Sequence, residues 1–334
     1  MITKNYFDVV TYKEVGSSHL RHGRSCEDNV YSAFSEADGV RVITLSDGAG
    51  SYENAERGSE ITSRIAAELL AERFEELYSL EADCTAKCIL QAVNDSVSRE
   101  AQSCGKDIES YSATLLCAAM HPDGRYLTFH VGDGVIVGYR EGEGAETVSF
   151  YDHDGPVNQT TFVTVSDTEY NLVRGKGSYA AFILMSDGPE EFTVNESHVS
   201  PVVSSMMLMP FFIPKQVIKS QLMSLTEEMR SGGMTDDASY AIMWDCRETG
   251  RVYGDLTADM KKILFEMDSE HGSKKNAAVM RVLNVLSNNP DGVSASLLAR
   301  RLYLHSPAVA KKKIAFMIDM ALVEKVNGRY FIKK

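Results

Sequence analysis

The chain lacks any apolar run long enough to cross a bilayer. Its most apolar window, Val199 to Ile213, is too short for a span and is interrupted by Pro201 and Pro210. The start, Met1 to Asp8, has no apolar core of signal-peptide length, so secretion is not supported. Cysteine is sparse and unpatterned: Cys26, Cys84, Cys88, Cys104, Cys117 and Cys246 include no Cys-x-x-Cys pair. Cys84 and Cys88 stand four apart beside a helical stretch, but no second pair or histidine lies nearby in sequence to complete a metal site. Reduced thiols in a cytoplasmic protein are the expectation.

Basic residues are also short in supply, and unevenly so. The whole chain carries 34 Lys and Arg against 47 Asp and Glu, a net −13. From Asp255 onward there are 14 basic and 8 acidic residues, a net +6, which leaves −19 on the first 254. An acidic body joined to a basic tail, in a chain long enough for two domains, predicts domains at 1–250 and 255–334 with different partners.

What the chain does have is a repeated device. Val42-Ile43-Thr44-Leu45 reads as a buried strand and runs into Ser46-Asp47-Gly48; Ala181 to Met185 does the same and runs into Ser186-Asp187-Gly188. An Asp at the end of a rigid strand, beside a Gly that lets a carbonyl approach a ligand, suits a hard cation. One Asp-Gly is a turn dipeptide, but two at strand ends form a pattern.

In chain order, Phe7 to Val15 reads as an edge strand, followed by a turn at Gly16-Ser17-Ser18-His19. Ala55 to Leu77 has the spacing of one long amphipathic helix, and Ala86 to Val97 of a second lying on the same sheet face. Ala113–Met120, Tyr126–Val131, Val135–Tyr139, Phe162–Val165 and Phe182–Met185 read as strands. Gln216 to Met229 reads as a helix, and Tyr240–Trp244 as the last strand of the body. Met206, Met207, Met209, Met223, Met229 and Met234 are expected to fill core gaps.

Asp47, Asp133, Asp187 and Asp236 thus share one local setting, a strand end or its adjoining turn, with no neutralising bases. Gathered together, such carboxylates repel one another unless divalent cations sit between them. Oxygen donors alone point to magnesium or manganese, and a pair of such ions can activate a water and hold a phosphate.

The ordered series Glu27-Asp28, Asp47-Gly48, Ser112-Ala113-Thr114, Gly132-Asp133-Gly134, Ser186-Asp187-Gly188 and Asp236-Asp237-Ala238-Ser239 resembles the motif set of the metal-dependent serine/threonine protein phosphatases of type 2C. Gly16-Ser17-Ser18-His19 and Asn158-Gln159-Thr160-Thr161-Phe162 resemble a bacterial subgroup, and the match spans roughly residues 8 to 245. The resemblance implies an α+β fold, a four-layer α-β-β-α sandwich of two antiparallel sheets flanked by helices. It also implies two Mn²⁺ or Mg²⁺ ions, with Asp47 bridging them. Asp187 and Asp236 would complete the first ion, Glu27 and the Gly48 carbonyl would serve the second, and Asp28 would act through water. Asp133 matches the position for a third, weaker ion shared with Asp187.

The chain departs from that family in two places. The arginine that grips the substrate phosphate is expected four residues before Glu27, where Gly23 stands; Arg24 and Arg21 are the candidates. Where animal members carry a histidine after the Asp-Gly, Ala49 stands, which leaves His19 and His22 as nearby proton donors to consider.

The tail lies outside that match. Asp255–Met267 and Asn276–Leu286 have helical spacing, Ser294 caps a helix to Leu302, and Ser306-Pro307 opens another through Met320. Leu322–Val326, Asn327-Gly328 and Arg329–Ile332 read as a hairpin with a type I′ turn. Helices followed by a hairpin resemble a small α/β winged-helix domain. Lys311, Lys312, Lys313, Lys325, Arg329, Lys333 and Lys334 would face DNA phosphates, or the domain would dock a protein. Three functions therefore compete: a phosphatase acting on a phosphorylated protein, a catalytically weak phosphoprotein sensor, and a DNA-binding regulator.

Overall fold

A computed structural model describes residues 5–150, 160–177, 179–195, 198–265, 273–319 and 322–333. Asn158, Gln159, Met267, Met320 and Lys334 lie outside the described residues. The chain divides into two compact units, one of residues 1–207 and 219–243, the other of 208–218 and 244–334.

The first unit contains β1 (Phe7–Glu14), α1 (Ser17–Arg21), β2 (Asn29–Phe34), β3 (Arg41–Ser46), α2 (Ala55–Glu72), α3 (Phe74–Ser79) and α4 (Ala82–Cys104). These are followed by β4 (Leu115–Met120), β5 (Arg125–Val131), β6 (Val135–Arg140), β7 (Gly144–Phe150), β8 (Asn171–Lys176) and β9 (Tyr179–Met185). Then come α5 (Asp187–Thr193), β10 (Val194–Asn195) and β11 (His198–Val199), with most of α6 (Pro201–Leu208), α7 (Lys215–Ser231) and β12 (Ala238–Asp245). Among the described residues the strands form two five-stranded sheets, ordered β2-β3-β4-β5-β8 and β1-β12-β9-β6-β7. The two antiparallel sheets flanked by helices are the expected sandwich.

The period-two alternation of strand side chains explains why the central strands are apolar throughout. Ile43 and Leu45 of β3, with Leu116 and Ala118 of β4, pack into the space between the sheets against Phe182, Leu184, Ala241 and Met243. Val42, Leu115, Cys117 and Ala119 face the other way, against Ile61, Leu70 and Phe74 and against Ile89, Val93 and Val97 of α4. Both long helices therefore cover one sheet face, as their spacing predicts.

Several expectations need correction. Phe162–Val165 is not a strand: the Thr168 hydroxyl donates to the Phe162 carbonyl at 3.0 Å, and Asp167 takes a left-handed φ of 62°, so the segment turns back on itself. The helix from Ala55 breaks at Arg73, whose dihedrals (φ −121°, ψ 26°) leave the helical well, so α3 is separate. Gly16 to His19 is not a simple turn, because Ser17–Arg21 forms α1. Met223 is 50% exposed and fills no core gap, whereas Met206, Met207, Met229 and Met234 are buried. The outer strands β7 and β8 escaped sequence reading because their residues are mostly half-buried or exposed and their apolar pattern is weak.

The second unit includes α8 (Thr249–Asp255), α9 (Ala258–Phe265), α10 (Ser273–Ser287), β13 (Val293–Ser294), α11 (Ala295–Arg301), α12 (Pro307–Asp319), β14 (Val323–Val326) and β15 (Arg329–Ile332). The Ser294 hydroxyl accepts from the Leu297 amide at 3.2 Å, the predicted N-cap. Asn327 and Gly328 both have positive φ, 49° and 79°, as a type I′ hairpin requires. β13, not foreseen, adds a third strand in the order β13-β15-β14. No helix among the described residues is long and apolar enough to cross a membrane.

Leu70 is fully buried between α2 and the sheet, so Leu70→Ala is expected to lower stability by about 2–5 kcal/mol in urea unfolding. Leu20→Ala, at a residue 57% exposed, should cost less than about 0.5 kcal/mol. Equal effects of the two substitutions would contradict the described core.

Candidate active site

The end of β3 is held by a segment that mimics a partner strand. The Asp47 amide donates to Thr114 Oγ1 at 2.9 Å and its carbonyl accepts from the Thr114 amide at 2.8 Å, while Ala49 donates to the Ser112 carbonyl at 2.9 Å. The Gly48 amide donates to the Glu27 carbonyl at 3.2 Å. A Cβ on Gly48 would stand 2.5 Å from the Ala55 carbonyl oxygen, so close backbone packing already requires glycine there.

The other acidic turns are stitched to the same place. Ser186 donates its amide to the Ser239 carbonyl at 3.2 Å, and the Ser239 amide donates to Ser186 Oγ at 3.0 Å, which joins the end of β9 to the start of β12. Asp187 then opens α5, and its carboxylate accepts from the Gly188 amide at 2.7 Å. The Asp236 carboxylate accepts from the Asp237 amide at 2.8 Å. Asp133 lies between Gly132 and Gly134, both with left-handed φ, and accepts from the Thr160 hydroxyl at 2.8 Å.

Electrostatics ties these positions together. Burial, then the charges of Asp28, Asp187 and Asp133, holds the Asp47 carboxyl well above the usual carboxylate range. Burial, then Asp133, Asp236 and Asp28, does the same to Asp187. Asp28 is fully buried and pushed up to about 6 by burial and by Asp237. The Asp47 carboxyl and the Ser186 and Ser239 hydroxyls stand beside it, yet neither Asp28 oxygen has a partner at hydrogen-bonding geometry. Glu27 Oε2 is likewise buried without a partner, and burial raises the Glu27 pKa against the opposing pull of Arg24.

Unpartnered buried carboxylate oxygens, mutually repelling and held by main-chain bonds, fit hard divalent cations. Of the predicted residues, Asp28, Asp133 and Asp187 act on Asp47, Asp28, Asp133 and Asp236 act on Asp187, and Asp237 acts on both Asp28 and Glu27. Asp236 is exposed and Asp28 is not, so the cluster runs from solvent inward.

Of the two candidate arginines, Arg24 reaches the site, where it pairs with Glu27 Oε1 while its side chain stays 37% exposed. Arg21 is exposed and its Nε donates to the Ser17 carbonyl at 3.1 Å. Of the two histidines, His22 is exposed and bonded to the Ser18 carbonyl at 2.8 Å, whereas His19 turns inward to Asp237 at 3.0 Å.

Sequence reasoning missed the part played by Asp237. Its carboxylate accepts from the Gly16 amide at 2.5 Å and the Glu27 amide at 2.7 Å and also meets the His19 ring. Its adjacency to Asp236 was the available signal. Glu190 was missed too: it is 5% exposed, and burial followed by the charge of Asp133 pushes its carboxyl up to about 7. His130 is buried with both ring nitrogens engaged, by Ser149 Oγ at 2.7 Å and the Asp133 carbonyl at 3.2 Å, and burial pushes it down to about 4. It is therefore a neutral support for the Gly132–Gly134 turn.

The family model for protein phosphatase 2C matches residues 15–220, well over half of the chain. The chain belongs to the protein phosphatase 2C family. As a member of that family it is a protein phosphatase. Its fold resembles a bacterial serine phosphatase (TM-score 0.51, 16% identity, 72% of this chain and 98% of that one). It also resembles the serine/threonine phosphatase Stp1 from Staphylococcus aureus (TM-score 0.51, 17% identity, 73% and 97%). The catalytic domain of the phosphatase PstP, in complex with two manganese ions, is similar to the same degree (TM-score 0.51, 17% identity, 71% and 97%). No curated protein sequence matches the chain.

The raised carboxyl of Asp28 in this phosphatase fixes the sign of a pH effect. A carboxyl raised on folding favours the folded state below its unfolded pKa of about 3.9, and that advantage is lost as pH rises through about 6. Metal-free Asp28→Asn protein should therefore be more stable than metal-free wild type at pH 7.5, by on the order of 2 kcal/mol, and lose that advantage below pH ~4. Urea unfolding at both pH values checks it; a variant less stable than wild type at pH 7.5 would contradict the charge crowding.

Proposed function

We propose that the chain is a metal-dependent serine/threonine protein phosphatase that hydrolyses phosphate monoesters on proteins with a water activated by two Mn²⁺ or Mg²⁺ ions. The observation that carries this reading is the set of buried carboxylate oxygens at Glu27 and Asp28 with no partner, joined electrostatically to Asp47 and Asp187. The two manganese ions in the PstP complex support it. Asp47 would bridge the ions, Asp187 and Asp236 would complete one, and Glu27 and the Gly48 carbonyl would serve the other, with Asp28 acting through water. Asp133 and Asp187 would share a weaker third ion.

Bound there, such ions lower the pKa of a water and neutralise phosphate oxygens. The protein's own groups do the rest. Main-chain bonds to Thr114 keep Asp47 from withdrawing from its neighbours. Arg24 spends one face on Glu27 and keeps another exposed, which suits it to a substrate phosphate. Ala49 has no acidic proton on its side chain, so the leaving oxygen must take one from elsewhere.

We further propose that residues 255–334 form a winged-helix targeting module. The order α10, β13, α11, α12, β14, β15 supports that reading, as do Lys311, Lys312 and Lys313, all exposed on α12. Its partner would be a protein or DNA. Exposed free thiols at Cys84 and Cys104 support a reducing cytoplasm.

Asp47→Asn and Asp187→Asn are each expected to lower Mn²⁺-dependent hydrolysis of an aryl phosphate at least 100-fold; undiminished turnover in either refutes the assignment. For the module, an electrophoretic DNA-binding assay of the full chain across a salt series should show binding that weakens with salt and falls in the Lys311→Ala/Lys312→Ala/Lys313→Ala variant. No shift even at low salt would leave a protein as the partner.

A further inference from the structure

Resting on the metal-dependent reading above, we propose that His19 is itself a metal ligand through Nε2. The ion served by Glu27 would then carry a nitrogen donor, and the site would favour a first-row transition ion over magnesium. Among the described residues, His19, Asp236 and Asp237 form the one group of three or more His, Cys, Asp or Glu residues whose donor atoms converge, all within 4.8 Å of one another; the group sets His19 among the acidic turns and does not itself include Glu27.

His19 is held there by its surroundings. α1 is fastened to the turn before β12: Ser18 donates to the Thr235 carbonyl at 2.9 Å, and a Cβ on Gly16 would collide with the Asp236 carbonyl carbon at 2.4 Å. The ring is 13% exposed. Its Nδ1 donates to Asp237 Oδ1 at 3.0 Å, which leaves Nε2 as the atom open to a ligand. A carboxylate that orients the far nitrogen is the usual support for a ligating histidine. Asp237 is itself fixed by the Gly16 and Glu27 amides, so the carboxylate that aims His19 also holds Glu27.

Independently, Nε2 faces the orphan oxygen of Glu27. Nε2 and Glu27 Oε2 are 3.9 Å apart, too long for a hydrogen bond, and Oε2 is buried without a partner. Two donors each about 2.1 Å from one ion stand about 3–4 Å apart, depending on the angle between them. Both atoms border the same small space. A Cβ on Gly50 would enter it, 3.4 Å from Glu27 Oε2, 3.8 Å from His19 Nε2 and 4.0 Å from Arg24 Nη1, so the guanidinium borders the space as well. Arg24 occupies Glu27 Oε1, so Oε2 is the oxygen left for a cation. Imidazole suits zinc, copper, iron and nickel, whereas magnesium prefers oxygen and water; Mn²⁺ serves as the spectroscopic probe.

The test is electron spin-echo spectroscopy of the full-length protein loaded with Mn²⁺. Wild type is expected to show ¹⁴N modulation from a directly bound imidazole, replaced by a ¹⁵N pattern in protein made with ¹⁵N-histidine. His19→Gln should abolish it and weaken Mn²⁺ binding at least tenfold, with Mg²⁺ binding little changed, while His22→Gln retains it. Should His19→Gln fail to fold, His19→Ala takes its place in the same measurement, because ¹⁵N-histidine marks all eight histidines alike. Mn²⁺ bound with no histidine modulation, or modulation that survives His19→Gln, overturns the proposal and leaves the metal-dependent reading standing. Failure to bind Mn²⁺ at all overturns both.

Discussion

The molecule is organised around a repulsion. Asp28 and Asp187 raise the pKa of Asp47, Asp28 raises that of Asp187, and Asp237 raises that of Asp28, in a site where burial already disfavours charge, and two oxygens of Asp28 and one of Glu27 have no partner at hydrogen-bonding geometry. Left to relax, such groups would move apart or toward water. They do not, because each is anchored by its main chain: Asp47 to Thr114, the Asp187 turn to Ser239, and Glu27 to Asp237. The sandwich core supplies the rigidity behind those anchors, since the strands that carry Asp47 and Asp187 are buried on both faces.

Backbone contact is the recurring device. Gly16, Gly48 and Gly188 each lie where a Cβ would strike a carbonyl of another segment, within 2.6 Å. The segments therefore approach more closely than any side chain allows, and the acids at their ends are brought near one another as a consequence. Gly48 thus has a packing reason to be glycine, whatever its carbonyl does for a ligand.

Much of this was legible in the residues. The strand-end acids, the paired Ser-Asp-Gly motifs and the type I′ Asn327-Gly328 turn carry their meaning locally, because each depends on a few neighbouring residues. The edge strands β7 and β8 were illegible because half-exposed strands need little apolar patterning. Phe162–Val165 misled for the opposite reason: Val163 is fully buried, and burial in a turn looks the same in sequence as burial in a strand. The roles of Asp237 and His19 depend on contacts spanning more than two hundred residues, which no local pattern encodes. Arg24 against Arg21 was likewise decided only by which side chain reaches Glu27.

The central claim is that the carboxylate cluster exists to hold divalent cations. A calorimetric titration of the metal-free full chain with Mn²⁺ at pH 7.5, set beside the same titration of Asp47→Asn, tests it most directly. The account predicts at least two ions bound per chain and the loss of at least one in the variant. A wild-type chain that binds none, or a variant that binds as wild type does, would contradict it.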